Sequence, residues 1–438
     1  MTSTGTTPTF SESLRVFARI GLLSFGGPAG QIALMHDELV EQRRWIDEPQ
    51  FLHALNFCHL LPGPEAQQLA TYIGWRLHGV RGGLAAGLLF LLPGVAIILG
   101  LSVLYAYAAG LDWFAALFLG IKAAVLAVVL QALMRIAGRA LDSRFKQALA
   151  VLAFIALFFF DLAFPLVLLG AGAAGVIAAM LRPGWLNLKQ VAKDQDIAAR
   201  PAIGGTLRTI TVWASLWALP LVLIWAMLGP DHVLMDIGLF FSQLAVVTFG
   251  GAYAVLAYMA QEAVQGYGWL SAGEMADGLG LAETTPGPLI LVTQFVGFIA
   301  AYRDAAPFTP LLAGIVGALL TTWVTFAPCF LWIFTFAPWI DRLQHAKRLK
   351  AGLAAITAAV VGVIANLSLW FALHVIFRAV GERRFGPLRL YWPDIASLDW
   401  LALALAAVSA VLLLAVKRSV LEVLVTSAAL GLAACPFM

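Results

Sequence analysis

Apolar runs recur along the whole chain, separated by short polar turns. "GGLAAGLLFLLPGVAIILGLSVLYAYAAG" and "TITVWASLWALPLVLIWAMLG" are two of them. Such runs match the roughly 17–25 residues that a helix needs to cross a bilayer. They are apolar on every face and rich in Gly and Ala, as packed membrane helices are. Polar positions predict about thirteen spans. Six lie near 15–35, 66–80, 84–109, 113–138, 146–163 and 165–181, and six near 235–258, 288–302, 308–338, 350–377, 399–417 and 419–435, with an unmatched one near 209–229. The fold class expected is an all-α polytopic membrane protein.

The pattern repeats itself. A constant offset of 224 aligns Ser24-Phe25-Gly26-Gly27 with Thr248-Phe249-Gly250-Gly251, Glu38 with Glu262, Trp45 with Trp269, and Pro62-Gly63-Pro64 with Pro286-Gly287-Pro288. Farther on the offset drifts to 235 for Pro93 against Pro328, and to 232 for Gly120 and Val128-Val129 against Gly352 and Val360-Val361. This is an internal duplication with small insertions. It divides the chain into a first repeat (10–181), a cytoplasmic linker with the unpaired span (182–230) and a second repeat (231–438). One extra crossing between the repeats would invert the second relative to the first.

Loop charges fit that layout, because cytoplasmic loops are enriched in Lys and Arg. With the N-terminus inside, Arg76 and Arg81, the Arg135 to Lys146 group, the 182–208 linker, "DRLQHAKRLK" and Lys417-Arg418 face the cytoplasm. The turns at Asp112, Asp161 and Asp231 to Asp236 face out. Two segments fit poorly, Arg43-Arg44 and "FRAVGERRFGPLRL".

Composition narrows the function. The 438 residues are 61% hydrophobic and 12% charged, with a mean hydropathy of +0.90, too poor in charge to cover a water-facing surface. The net charge of +3 gives no reason to expect a nucleic-acid partner. Cys58, Cys329 and Cys435 are scattered, with neither metal-ligand spacing nor a disulfide framework. The N-terminus lacks a basic stretch followed by an apolar core, so no cleaved signal peptide is expected. No Walker loop, HExxH motif or His-rich tract occurs, which argues against an ATP-driven pump. No metal or cofactor is expected, and a membrane enzyme acting on lipid or oxyanion would want clustered carboxylates or metal ligands at one face, of which the sequence supplies too few.

Inverted repeats with helix breaks at matching positions are the architecture of secondary transporters, and the breaks mark the binding site. Pro-Gly-Pro can neither continue a helix nor lie bare in lipid. Proline also suits the first position of the helix that follows. The free N–H groups and positive dipole end of such a helix attract an anion. Residues alone therefore point to a small anion bound near the midplane, between the Phe-Gly-Gly and Pro-Gly-Pro elements. Gly26-Gly27 and Gly250-Gly251 would allow close backbone approach or expose further N–H groups.

The stretches "SFGGPAGQIALMHDELV", "WIDEPQF", "LPGPEAQQLATYIGWRLHGVRGG" and "LLFLLPG" resemble the chromate ion transporter family, of the long two-domain type. The resemblance runs from about Phe10 to the last spans. The second half keeps "TFGG" and "TPGP" but diverges after them. It implies a bacterial inner-membrane protein that exports chromate, a tetrahedral dianion, by a mechanism linked to the proton-motive force, with sulfate handled by some members. A proton-coupled antiporter follows as the expectation, working by rocking of the two repeats. Sulfate uptake and a passive anion channel are the alternatives, and a homodimer stays open.

The candidate substrate-binding residues are Ser24, Gly26, Gly27, Asn56, Pro62, Gly63, Pro64, Gln68, Lys122, Thr248, Gly250, Gly251, Thr284, Thr285 and Gly287. The candidate proton-coupling residues are Glu65, His59 and Glu283. Glu65 and Gln68 share a helix face three residues apart. Glu65 either exchanges a proton or satisfies the first turn of its helix, and its repeat counterpart is Leu289. His59 and Glu283 occupy matching positions just before the two breaks, and intramembrane ionisable groups are functional by default. A satisfied structural histidine is the plainer alternative. Thr284 and Thr285 either donate to an oxyanion or cap the next helix. Lys122 lies about nine residues into its span, where insertion costs on the order of 2.5–3.5 kcal/mol. It needs a partner, either a carboxylate such as Glu65 or Glu38 or the substrate itself. Its counterpart is Ala354. Ser24, Gln31 and Glu38 recur at sevens on one stripe, and for Glu38 and Glu262, which occur in both repeats near the ends of their helices, a structural role at the interface is expected.

Overall fold

The computed structural model describes residues 8–187, 203–249 and 252–435. Gly250, Gly251 and residues 188–202 of the linker lie outside this set. Helices dominate: α1 (Phe10–Leu23), α2 (Gly27–His36, extended by a π-helical turn over Asp37–Gln42), α3 (Glu48–Cys58), α4 (Glu65–Ala108), α5 (Asp112–Ala140), α6 (Arg144–Phe158), α7 (Phe164–Leu181) and α8 (Ile203–Leu228). Then come α9 (Val233–Val247), α10 (Ala252–Gln261, with a π-helical turn over Glu262–Gly266), α11 (Ala272–Thr284), α12 (Val292–Arg303), α13 (Pro310–Phe336), α14 (Ile340–His345), α15 (Lys347–Ile376), α16 (Trp400–Ala410) and α17 (Val420–Ala434). Among the described residues, six helices are long and apolar enough to cross a membrane: α4, α5, α7, α8, α13 with the turn that follows it, and α15. Shorter apolar helices flank them.

The duplication is visible in local geometry. The spans expected near 15–35 and 235–258 are each interrupted, the first between Leu23 and Gly27, the second after Val247. The π-helical turns fall at equivalent places, around Glu38 and Glu262. The expected spans 66–80 and 84–109 form α4, which bends back on itself at His78-Gly79. Gly74 there packs against the Gly82 carbonyl, and Gly297 packs against Thr321 in the α12–α13 hairpin of the second half.

The helices gather into two compact units, and each draws on both halves of the sequence. The first comprises Met1–Val103, Val191–Ala252 and Thr285–Ala346. In it α12, α9 and α8 pack on α13, while Phe330 and Phe334 of α13 reach Gly87 and Gly83 of α4. Helix α8, the unmatched span, has no buried residue, as a helix facing lipid would not. It leans on α13 through Trp213 stacked on Phe330 and two Trp–carbonyl bonds, Trp217 to Val324 and Trp323 to Leu216, both 3.1 Å.

The second unit comprises Leu104–Gln190, Tyr253–Thr284 and Lys347–Met438. Here α5 of the first half packs on α16 and α17 of the second, and α15 of the second packs on α6 and α7 of the first. Glycines set these approaches. A Cβ at Gly120 would strike the Ser427 carbonyl, and one at Gly362 the Ala150 carbonyl.

One element departs from an all-helical layout. Strands β1 (Val380–Phe385) and β2 (Leu388–Pro393) pair antiparallel. This hairpin and the Arg378 just before it carry arginines that fit the loop-charge pattern poorly. Arg378, Arg384 and Arg389 are held by carboxylates, and Arg383 lies over the Trp392 ring at 4.7 Å. Arg389, 3% exposed, meets Asp161 at 2.6 Å and donates to the Leu157 carbonyl at 3.0 Å. Arg384 contacts Glu382 and Asp161, and Arg378 contacts Asp399. These side chains therefore have structural work on whichever side they lie.

Gly120→Val and Gly362→Val should each destabilise the chain by about 1–3 kcal/mol or more through overpacking. Gly100→Val, where a Cβ meets nothing within 4 Å, should be neutral or slightly stabilising because Val favours helix over Gly. Thermal midpoints of the purified proteins in detergent check this.

Candidate functional site

Helix α3 stops at Cys58 because the 59–64 stretch ends in Pro62-Gly63-Pro64, and α4 restarts at Glu65. Helix α11 stops at Thr284, and after Pro286-Gly287-Pro288 a short 3₁₀ turn leads into α12. Gly63 and Gly287 adopt φ of +120° and +99°, which residues bearing a Cβ rarely tolerate. Ser24 closes α1, and Thr248 closes α9.

In the first unit these four segments meet crosswise. Gly63 N–H donates to the Thr248 carbonyl at 2.8 Å, and Gly287 N–H donates to the Ser24 carbonyl at 2.9 Å. Ser24 and Thr248 are repeat equivalents, and so are Gly63 and Gly287. Each half therefore supplies the acceptor for the other half's break. Gln31 reinforces one side, its Nε2 donating to the Gly287 carbonyl at 2.5 Å and lying 3.4 Å from that of Ser24. The neighbouring helices are exchanged in the same way. Gly63 faces Cys329 of α13, and Gly287 faces Gly94 of α4, the residues just after the equivalent prolines Pro328 and Pro93.

The amides of Gly63 and Gly287 are not free anion donors, because the facing carbonyls already hold them. The donors left open are the first amides of α4, at Glu65, Ala66 and Gln67, which have no acceptor within their own helix. Several buried side-chain atoms around the breaks have no hydrogen-bond partner: Ser24 Oγ and the Oε1 atoms of Gln31, Gln67, Gln68 and Gln294. Gln68 Nε2 donates to the Pro62 carbonyl at 2.6 Å, and Gln68 also hydrogen-bonds the Cys329 side chain. Buried polar atoms normally find partners, so these unpartnered atoms stand out within apolar helices.

The remaining candidates divide. His59 Nδ1 lies 3.1 Å from Glu65 Oε1, so the two flank the first break as a pair. Asn56 sits on the exposed face of α3. Nothing lies within 4 Å of a Cβ built at Gly26 or Gly27, so conformation (φ +85° and +69°) rather than close packing explains them. The Thr248 and Thr284 hydroxyls return to carbonyls of their own helices, at Leu244 and Leu281, and neither caps the next helix. Thr285 is buried.

Lys122 lies in the second unit, and its partner is neither carboxylate expected from the sequence. Glu38, 2% exposed, is clamped between Arg19 and Arg43, each at 3.3 Å, and Glu65 is engaged with His59. Lys122 Nζ instead lies 3.1 Å from Asp277 Oδ1, and Tyr105 donates to Asp277 Oδ2 at 2.7 Å. Sequence reading missed Asp277. The available signal was a carboxylate in "EMADGLGLAET", the helix that runs into the second break. Tyr253 donates to Glu283 at 2.9 Å in the same unit.

Long apolar helices, an internal duplication and buried charges held by specific partners define a multi-pass membrane protein built around paired helix breaks. Residues 11–178 and 235–432 match the chromate transporter family, and the chain belongs to it. Its relatives include a chromate transport protein of Pseudomonas aeruginosa, 34% identical over 80% of this chain and 77% of the relative. One from Cupriavidus metallidurans is 28% identical over 85% and 86%. A probable chromate transport protein of Synechococcus elongatus is 26% identical over 80% and 81%. No solved structure matches the chain.

Gln31→Leu should lower stability by about 1–3 kcal/mol, because it leaves the Gly287 carbonyl buried without that bond. Asn56→Leu, on an exposed face, should leave the thermal midpoint unchanged. Glu38→Ala should also destabilise, by leaving Arg19 and Arg43 without their shared carboxylate.

Proposed function

We propose that this chain is a secondary active transporter that exports chromate across the bacterial inner membrane, driven by the proton-motive force. The carrying observation is the crossed pair of break-to-turn hydrogen bonds, Gly63 to Thr248 and Gly287 to Ser24, in a member of the chromate transporter family. Bonds exchanged between repeat equivalents are what two-fold-related repeats would make, and the loop charges are the support for reading these repeats as inverted, in about thirteen spans with a cytoplasmic N-terminus. A buried dianion needs donors and positive potential to offset its desolvation. The open amides and dipole end of α4 and the Ser24 hydroxyl would supply donors in the first unit, with Gln68 joining them by exchanging its bond to Cys329 for one to the anion. Lys122 is read as an anion contact in the second unit. The chain's role is then positioning and charge compensation, with no bond made or broken.

Proton coupling is assigned to the His59–Glu65 pair and to Glu283. A carboxylate beside an anion binding site repels the anion unless it is protonated, so protonation and anion occupancy become linked. The elements are unequal between halves, with Leu289 in place of Glu65, which suits a cycle with one coupling event rather than two. Sulfate transport is the second reading, favoured by its matching charge and tetrahedral shape.

Radiolabelled chromate flux in inverted vesicles should depend on the imposed pH gradient, collapse with an ionophore and be competed weakly by sulfate. Flux indifferent to the gradient would argue for a channel. Glu65→Gln should reduce coupled flux at least tenfold while leaving the protein folded. Cells expressing the chain should gain resistance to chromate, whereas sensitisation would indicate import.

A further inference from the structure

Lys122, Asp277 and Tyr105 form a charge centre in the second unit. Asp277 is nearly enclosed, with its side chain 7% exposed, whereas Lys122 retains 22%. The two carboxylate oxygens are not equivalent. Oδ2 accepts the Tyr105 hydroxyl. Oδ1 lies 3.1 Å from Lys122 Nζ, yet it is buried without a hydrogen bond of acceptable geometry. Helix α11 packs against α5, α15 and α17. Asp277 is faced by Lys122 from α5 and by Tyr105 from the end of α4, and Glu274 on its own helix is close enough to add its charge. Helices α15 and α17 carry ionisable residues only near their ends: Lys347, Arg348, Lys350, His374 and Glu422. The pair also occurs once. Lys122 has Ala354 as its repeat equivalent, and at the offset of 224 Asp277 has His53.

We propose that Lys122 and Asp277 form an exchangeable pair, in which the transported oxyanion takes the place of the carboxylate at Lys122 and Asp277 takes up one proton as it does so. This rests on the reading of Lys122 as an anion contact. When empty, the pair is neutral and holds itself together. When a dianion docks on Nζ, an ionised Asp277 would be left as a buried charge without its cation beside like charge, a severe penalty. Protonation removes it. Because the Tyr105 hydroxyl holds Oδ2 as an acceptor, the proton goes to Oδ1, where the new O–H can donate to an oxygen of the anion. The proton comes from water, and no bond other than O–H changes. Tyr105 is thus a positioning residue that selects which oxygen is protonated. Linkage then requires that acid strengthen anion binding and that anion binding draw in a proton. Dianion and proton leave together as one net negative charge, whose exit the inside-negative potential component of the proton-motive force drives.

The test is equilibrium dialysis of radiolabelled chromate with the purified full-length chain across a pH series, with proton uptake followed in weak buffer. Wild type should take up about one proton more per bound anion than Asp277→Asn, and its affinity should rise up to about tenfold more per unit fall in pH. Asp277→Asn should bind better than wild type in alkali, with a flat profile beyond that set by chromate's own protonation. Tyr105→Phe should keep the proton uptake but shift the profile. Equal profiles and equal uptake in wild type and Asp277→Asn overturn the inference. If Asp277→Asn does not fold, the neutral double variant Lys122→Gln with Asp277→Asn replaces it. That variant should lose chromate binding at this centre and the extra proton, and retention of the extra proton overturns the inference. Lys122→Gln binding chromate like wild type overturns the anion contact itself. Chromate bound by no form of the protein overturns the proposed substrate and this coupling with it.

Discussion

Backbone groups in an apolar phase must be bonded to something, and every helix break in this protein has to answer that demand. In the first unit the answer is reciprocal. The chain interrupts a helix in each half, and the amide released at one interruption is taken up by a carbonyl at the end of a helix from the other half. The glycine amide of each break is taken by the other repeat, while Gln68 covers the Pro62 carbonyl from within the first. The crossed arrangement therefore ties the halves together at the point where each is weakest, and it does so with two short backbone bonds and one carboxamide, Gln31. The second unit follows the same logic with packing in place of hydrogen bonds. Helix α5 is covered by the last helices of the second half, and α15 by the middle helices of the first.

On this near-symmetric frame the charges are not symmetric. Glu65 faces His59, while the equivalent of Glu65 is Leu289. Lys122 and Asp277 pair in the second unit, while their equivalents are Ala354 and His53. A scaffold can tolerate duplication of its backbone because packing and hydrogen bonding add locally. Buried charges are different, since each needs its own partner. Ionisable groups held in only one repeat are thus more informative about function than the duplicated motifs around them.

Loop charges gave a mixed signal because basic residues serve two purposes. Some set topology, and others are fixed by carboxylates. The hairpin arginines belong to the second kind, since Asp161 receives both Arg384 and Arg389 while also accepting from Gln261 at 2.8 Å. Arg43 is likewise bound to Glu38. Their partners, local for Arg43 and distant in sequence for Arg389, mark these as structurally fixed.

Hydrophobic run length and the rarity of Pro and Gly clusters made the helices, the duplication and the two breaks legible from the sequence, since each depends on local chemistry. The break positions were right because proline lacks an N–H wherever it sits. Which groups face each other was not legible. The crossing of Gly63 with Thr248 and of Gly287 with Ser24, the capture of Lys122 by Asp277 rather than Glu65 or Glu38, and the docking of Arg389 on Asp161 join residues between 155 and 263 positions apart. Hydropathy carries no record of such pairings. Helix packing alone brings them within bonding distance, and so tertiary structure decides which buried polar groups are satisfied and which are not.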